Sequence, residues 1–120
     1  MDDAERCFRE ACKLNERFFS SRVNLSLVLL QRGSTEEGIK WIEKALELSP
    51  SSAWAHAIRG QAYVTRHSEV ENEVSPELRK GMLESAKESL MIARPAYPID
   101  SQRGMAIQAA WDYVVLRIEY

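Results

Sequence analysis

The 120-residue sequence predicts an all-α protein of about six helices that pack as antiparallel pairs. The first reason is a helical pattern that occurs three times: a small residue, a large apolar residue four positions later, and an alanine three positions after that. The three copies are Ala4, Phe8 and Ala11; Gly38, Ile42 and Ala45; and Ala86, Leu90 and Ala93. The second reason is that no segment shows the apolar alternation of a convincing β-strand.

The distance between the copies indicates a repeated unit. Gly38 follows Ala4 by 34 residues, whereas Ala86 follows Gly38 by 48, which is 34 plus an insertion of 14. Pro50 and Pro98 end the second and third copies, five residues after the last alanine, and a proline cannot continue a helix. Because a single helix pair cannot bury its apolar face alone, successive pairs are expected to stack.

Local signals predict where the first three helices begin and end. Gly33 ends the second helix, because glycine adopts a left-handed conformation at little cost. Ser34 and Glu37 have the spacing of a capping box, so the third helix should begin near Thr35. The predicted helices of this half span residues 2–14, 20–32 and 35–48.

The second half of the chain continues the pattern with one longer connection. Residues 67–75 fit a loop or a frayed helix extension, and Pro76 then restarts the chain as a helix. The fourth helix precedes this connection, and the fifth and sixth helices are predicted at residues 76–93 and 101–119. The predicted caps are Ser51 or Ser52 for the fourth helix and Asp100 or Ser101 for the sixth, whereas Ser75-Pro76-Glu77 is the start signal of the fifth.

Composition excludes several classes of protein. A formal net charge of −2 and a pI near 5.7 argue against a nucleic-acid partner, which usually requires a basic stripe. No segment approaches the roughly 18 consecutive apolar residues of a membrane span. The acidic start of the chain has no apolar signal core, and Cys7 and Cys12 fall on different faces of one helix. An intracellular protein with reduced cysteines is therefore expected.

The repeated pattern resembles the tetratricopeptide repeat, whose pairs consist of a first helix (helix A) and a second helix (helix B). The family pattern has W-x2-L-G-x2-Y in helix A, then A-x3-F and a later proline in helix B. The matches at 19–52 are Leu25, Ser26, Leu29, Gly38, Ile42, Ala45 and Pro50, and those at 53–100 are Gly60, Tyr63, Ala86, Leu90, Ala93 and Pro98. Arg22 and His56 replace the tryptophan, and Arg59 replaces the leucine of the second repeat.

The resemblance implies one domain with a right-handed superhelix of antiparallel pairs. Its predicted parts are a lone helix B at 1–18, a repeat at 19–52, a repeat at 53–100 with an insertion near 67–80, and a terminal helix A at 101–120. The terminal helix is apolar almost all round, through to Tyr120, although a capping helix should have a polar outer face. Either the chain is a piece of a longer array, or its ends pack against another subunit.

Catalytic chemistry is not predicted. His56 and His67 have no cysteine or carboxylate at metal-ligand spacing, so both are expected to be surface or groove histidines. The acidic residues around Glu71 lack the calcium-loop pattern, and the glycines form no phosphate loop. The sequence therefore predicts no catalytic residue, no metal site and no cofactor.

A binding function follows from the resemblance, because the family typically binds peptides in the groove that the A helices line. The residues expected to line it are Val23, Asn24, Leu27, Gln31, Trp54, Ile58, Gln61, Met105, Asp112 and Tyr113. This lining lacks the Lys and Arg with which some members clamp a peptide carboxylate, so an apolar partner segment is expected. For Leu27, Trp54 and Met105, ordinary core packing is an equally good interpretation.

Two classes of function remain open from the sequence. The first is a scaffold or adaptor that binds a protein or peptide. The second is a structural segment of a larger repeat protein, or a homo-oligomer formed through the terminal helices. RNA binding is disfavoured, because the A helices do not interleave basic and aromatic residues.

Overall fold

The computed structural model describes residues 3–14 and 18–118. The helices are α1 (Asp3–Leu14), α2 (Phe19–Gln31), α3 (Thr35–Leu48), α4 (Ala53–Val70), α5 (Pro76–Ala93) and α6 (Gln102–Ile118), with a 3-10 turn at Arg94–Ala96. No strand occurs within the described ranges, so the predicted all-α class is confirmed. Asp2 at the start of the predicted first helix, and Glu119 and Tyr120 at the end of the sixth, lie outside the described residues.

Most of the predicted helix boundaries are observed. Gly33 ends α2 with a φ of 85°, the left-handed conformation that glycine tolerates. The hydroxyl oxygens of Ser52, Ser75 and Ser101 accept hydrogen bonds from backbone N–H groups in the first turns of α4, α5 and α6. The capping box at the start of α3 is wrong, because the Ser34 side chain makes no capping hydrogen bond. The Glu37 carboxylate instead accepts a hydrogen bond from Arg9 of α1 at 2.6 Å.

The helices pack in two layers. Each helix packs against the next helix along the chain. Because the connections between them are short, sequential helices are antiparallel neighbours. The A helices α2, α4 and α6 also contact one another in succession and form one layer, against which the B helices α1, α3 and α5 each pack. The right-handed superhelix stays a prediction of the resemblance.

Small residues set the distance between paired helices. A Cβ added at Gly60 of α4 would lie 2.6 Å from the Leu90 side chain of α5, closer than van der Waals contact allows. At Gly38 of α3 the added Cβ would lie 2.8 Å from the Leu30 side chain of α2. The small residues of the repeated pattern therefore allow close helix packing, as the sequence predicts.

The 14-residue insertion lengthens one helix pair and does not form a separate loop. Compared with α2 and α3, it adds five residues to the end of α4, two to the connecting turn and seven to the start of α5. Of the two interpretations for residues 67–75, the helix extension is observed as far as Val70, and the turn follows it. Val70 is buried, so the extension is packed against the rest of the protein.

Candidate binding groove

A depression lies between the A helices α2 and α4. Its cavity has a volume of about 220 Å³ and is lined by Leu27, Leu30 and Gln31 of α2 and by Ile58, Gln61, Ala62 and Thr65 of α4. Residues three, four and seven positions apart share one face of a helix, which explains how each helix contributes its lining. Leu27, Gln31, Ile58 and Gln61, four of the ten residues predicted for the groove, therefore line a single cavity. The ten predicted residues did not include Leu30, Ala62 or Thr65, although Leu30 lies one turn after Leu27.

The chemistry of this depression is neutral. Apolar side chains form much of its wall, and none of its lining residues is charged. Gln31 and Gln61 add amide groups that can donate and accept hydrogen bonds. Thr65 is less available, because its hydroxyl donates to the Gln61 carbonyl at 3.0 Å. This lining fits a peptide segment that inserts an apolar side chain and pairs its backbone groups with the amides of Gln31 and Gln61.

Two of the predicted groove residues belong mainly to the core. Val23 is only 3% exposed and Ile58 only 5%, and both pack with Ile42, Ala45 and Ala55. Ile58 also lines the depression, whereas Val23 does not. Asn24 is half-buried and does not line this cavity.

Trp54 links the groove region to α6. Its half-buried ring packs against the core cluster that contains Val23 and Ile58, and the Arg103 guanidinium lies 3.9 Å from the ring centroid. This cation–π contact covers part of the ring that the sequence assigned to a partner. Contacts within the protein, as the core-packing interpretation expects, therefore cover much of the Trp54 side chain.

The predicted residues of α6 lie apart from the depression. Met105 is 56% exposed. Asp112 is also exposed, and its carboxylate accepts a hydrogen bond from Gln108 at 2.8 Å. The Tyr113 hydroxyl lies 2.8 Å from Nδ1 of His67. The structure thus joins the α2 and α4 part of the predicted groove and does not bring the α6 residues into the same cavity.

The sequence predicted His67 as a surface or groove histidine, and the structure buries it. It is 3% exposed, and its ring meets the Tyr113 ring edge-on with centroids 5.6 Å apart. Burial lowers the pKa of His67, an effect that nearby Glu71 partly opposes. Burial also raises the pKa of Tyr113, whose ring lies 3.5 Å from the Arg117 guanidinium. The pair therefore holds α4 against α6 with an uncharged contact.

His56 is also buried, and the structure places it beside Ser89. Its Nε2 lies 2.7 Å from the Pro50 carbonyl oxygen, which can only accept, so Nε2 donates there. Its Nδ1 is then the acceptor for the Ser89 hydroxyl at 3.0 Å. A serine next to a histidine can be a nucleophile and its base, but Ser89 is 0% exposed and no substrate reaches it. We interpret this pair as structural.

Arg59 completes the same polar network. Its Nη1 donates to the Ser89 hydroxyl oxygen at 2.8 Å and to the Ser85 carbonyl at 3.2 Å. Its Nε donates to Glu43 of α3 at 3.3 Å, and the same carboxylate oxygen accepts from the Tyr63 hydroxyl at 3.0 Å. His56 and Arg59 are the two positions where the second predicted repeat departs from the family pattern. Both departures join one hydrogen-bonded cluster that links α3, α4 and α5.

Metal chemistry finds no support in the described parts of the chain. No group of three or more His, Cys, Asp or Glu side chains there could hold a metal ion. Both described cysteines are free, with Cys7 exposed and Cys12 buried.

The architecture defines a class, an all-α protein of antiparallel helix pairs whose A helices form one layer. Comparison with known families identifies the unit: residues 19–52, which contain α2 and α3, match the family described as Tetratricopeptide repeat. The predicted resemblance is confirmed, since this segment is the first complete repeat that the sequence delimits. Such repeats generally mediate protein–protein interactions and are generally not enzymes. A comparison with curated proteins finds no match.

No helix in the described ranges is both long enough and apolar enough to span a membrane.

Proposed function

We propose that this protein binds a short apolar segment of a protein partner in the depression between α2 and α4. One observation carries the proposal: residues from two consecutive A helices line one uncharged cavity of about 220 Å³. The cavity is small, so one apolar side chain of the partner is expected to fill it. The amide groups of Gln31 and Gln61 then pair with the partner backbone beside that anchor.

The experiment is a selection of displayed peptides on the full chain, followed by affinity measurements on variants. Thr65→Arg places a long cation at the edge of the cavity without removing a core side chain, because Thr65 is exposed. A selected peptide that uses the cavity should lose about tenfold or more in affinity, equal to about 1.4 kcal/mol. Leu78→Arg is the control, because it adds the same side chain at an exposed position of α5 outside the cavity. Equal loss in both variants, or in neither, refutes the proposed site.

We propose self-association as the second candidate function, because apolar side chains are exposed at both ends of the array. Leu14 at the end of α1 is 89% exposed, and Leu116 near the end of α6 is 63% exposed. Ile99 and Met105 are also exposed. A contact surface between copies would cover such large exposed apolar side chains.

Sedimentation equilibrium tests this second candidate. An oligomer that depends on the terminal helices should dissociate when Leu14→Lys and Leu116→Lys are combined, whereas Leu78→Lys should leave it intact. A strictly monomeric wild-type chain at high concentration excludes self-association. An intracellular location is part of the proposal and rests on the free cysteines of the chain.

A further inference from the structure

A second cleft is formed mainly by the B helices α1 and α3 and shares no lining residue with the depression between α2 and α4. Its volume is about 440 Å³, and its lining residues are Arg9, Cys12 and Lys13 of α1, Arg22 of α2, and Trp41, Lys44 and Glu47 of α3. Three helices therefore contribute to it. This volume falls within the range of about 300–1,000 Å³ that is usual for ligand pockets.

The charge of this cleft contrasts with that of the whole chain. Four of its seven lining residues are cationic and one is acidic, although the chain carries a formal net charge of −2. Arg9 is balanced within the protein, because it pairs with Glu5 at 2.9 Å and with Glu37 at 2.6 Å. Lys13 and Lys44, which are both exposed, therefore supply available positive charge, and Glu47 is the acidic residue of the lining.

Two cationic side chains of the cleft are held in position. The Arg22 guanidinium donates to the Lys44 carbonyl oxygen at 2.7 Å, which ties α2 to α3 at the cleft. The Lys44 ammonium lies 4.4 Å from the centroid of the Trp41 ring. A cation held beside a half-buried aromatic ring leaves a surface that is both positive and apolar.

The cations of the cleft act on the thiol of Cys12, a buried residue of the lining. Burial raises the pKa of the Cys12 thiol, and Arg22, Lys44 and Arg9 partly oppose this effect. The three cations of the cleft therefore act on a buried residue of its lining, although burial has the larger effect on the thiol.

We propose that this cleft binds an acidic peptide segment of a protein partner. Carboxylates of the segment lie beside Lys13 and Lys44, and an apolar side chain of the segment covers the Trp41 ring. Charge complementarity supports an acidic occupant, and the spread of cations over three helices fits several carboxylates better than one. The acidic pI of the chain, near 5.7, favours a peptide over a nucleic acid. The site differs from the proposed groove in its helix layer and in its ligand chemistry.

The first test uses the three tryptophans as reporters in a ¹H–¹⁵N spectrum of the full chain. The probe is the capped peptide Glu-Asp-Glu-Leu-Asp-Glu, and its control has Gln and Asn in place of the acids. The acidic peptide should shift the indole signal of Trp41, assigned with Trp41→Phe, and leave that of Trp54 in place. The amide peptide should shift neither. A shift of Trp54 alone, or no shift at millimolar peptide, overturns the proposal.

The second test measures affinity in charge-reversed variants with the labelled acidic peptide. Lys44→Glu and Lys13→Glu should each weaken binding about five- to tenfold, because attraction becomes repulsion at a partly screened site. Lys40→Glu is the matched control, since Lys40 is an exposed lysine of α3 outside the cleft, and it should change affinity less than twofold. Equal weakening by all three variants indicates non-specific attraction and overturns the proposal. Tighter binding of a single-stranded oligouridine than of the peptide also overturns it.

Discussion

The hydroxyl of Ser89 should contribute more to the free energy of unfolding than the hydroxyl of any exposed serine in this protein. Ser89 has no accessible surface, its oxygen accepts from Arg59 at 2.8 Å, and it donates to Nδ1 of His56 at 3.0 Å. Ser89→Ala removes both hydrogen bonds and leaves Nδ1 buried without a donor. Leaving a buried polar group unsatisfied costs about 1–3 kcal/mol, so we expect a loss of about 2 kcal/mol in the free energy of unfolding.

The size of this loss depends on which hydrogen bonds Arg59 and His56 retain in the Ser89→Ala variant. Arg59 retains its bonds to the Ser85 carbonyl and to Glu43, so most of the loss should come from His56. Urea unfolding followed by circular dichroism measures it, and the thermal midpoint should fall by about 6–10 °C. Ser85→Ala is the control, because Arg59 binds the backbone carbonyl of Ser85 and not its side chain. That change should cost less than about 0.5 kcal/mol.

A double-mutant cycle between Ser89→Ala and His56→Ala separates the hydrogen bond from local packing. The two losses should not be additive, with a coupling of about 1 kcal/mol, because each substitution removes the same contact. Additive losses, or a Ser89→Ala variant as stable as Ser85→Ala, would show that the hydrogen bonds among His56, Ser89 and Arg59 do not stabilise the fold.

Two further predictions concern other parts of the fold. The pKa of His67 is lowered by burial, so the unfolded chain binds the proton more readily than the folded one, and stability should fall as the pH drops below about 6.5. His67→Gln should reduce this pH dependence, measured as the difference between the urea midpoints at pH 7.5 and pH 5.5. An unchanged difference would show that His67 does not cause the pH dependence. Gly104→Ala should destabilise by about 1–3 kcal/mol, because the added Cβ overlaps the Pro98 carbonyl oxygen. Gly81→Ala, with open space around its added Cβ inside α5, should instead stabilise by about 0.5–1 kcal/mol, and similar effects of the two changes would contradict the packing argument.

Spacing along the sequence predicted much of the fold because helix packing depends on local periodicity. The alignment of Gly38 with Ile42 and of Ala86 with Leu90 encodes which face each helix buries. That information lies within single turns of each helix. The position of the 14-residue insertion followed from the same spacing.

Side-chain partners were predicted less well, because they depend on contacts between distant helices. Glu5 belongs to the acidic start of the chain, yet it is buried and pairs with Arg9 and Arg32. Arg59 replaces the leucine of the family pattern, and its guanidinium binds Ser89, 30 residues away. The groove was predicted from equivalent positions on three helices, but a cavity also requires that neighbouring side chains leave the space open. Val23 fails this requirement because its neighbours bury it.

The insertion has a structural consequence that its acidic composition did not suggest. The added part of α4 contacts α3 on one side, where Arg66 pairs with Glu36 at 3.4 Å and Glu69 accepts from Thr35 at 3.1 Å. On the other side His67 meets Tyr113 of α6. Because the extension is fixed to both neighbouring helices, it braces α4 next to Thr65, where the proposed groove ends. A partner in that groove should therefore meet a preorganised wall, which lowers the entropic cost of binding.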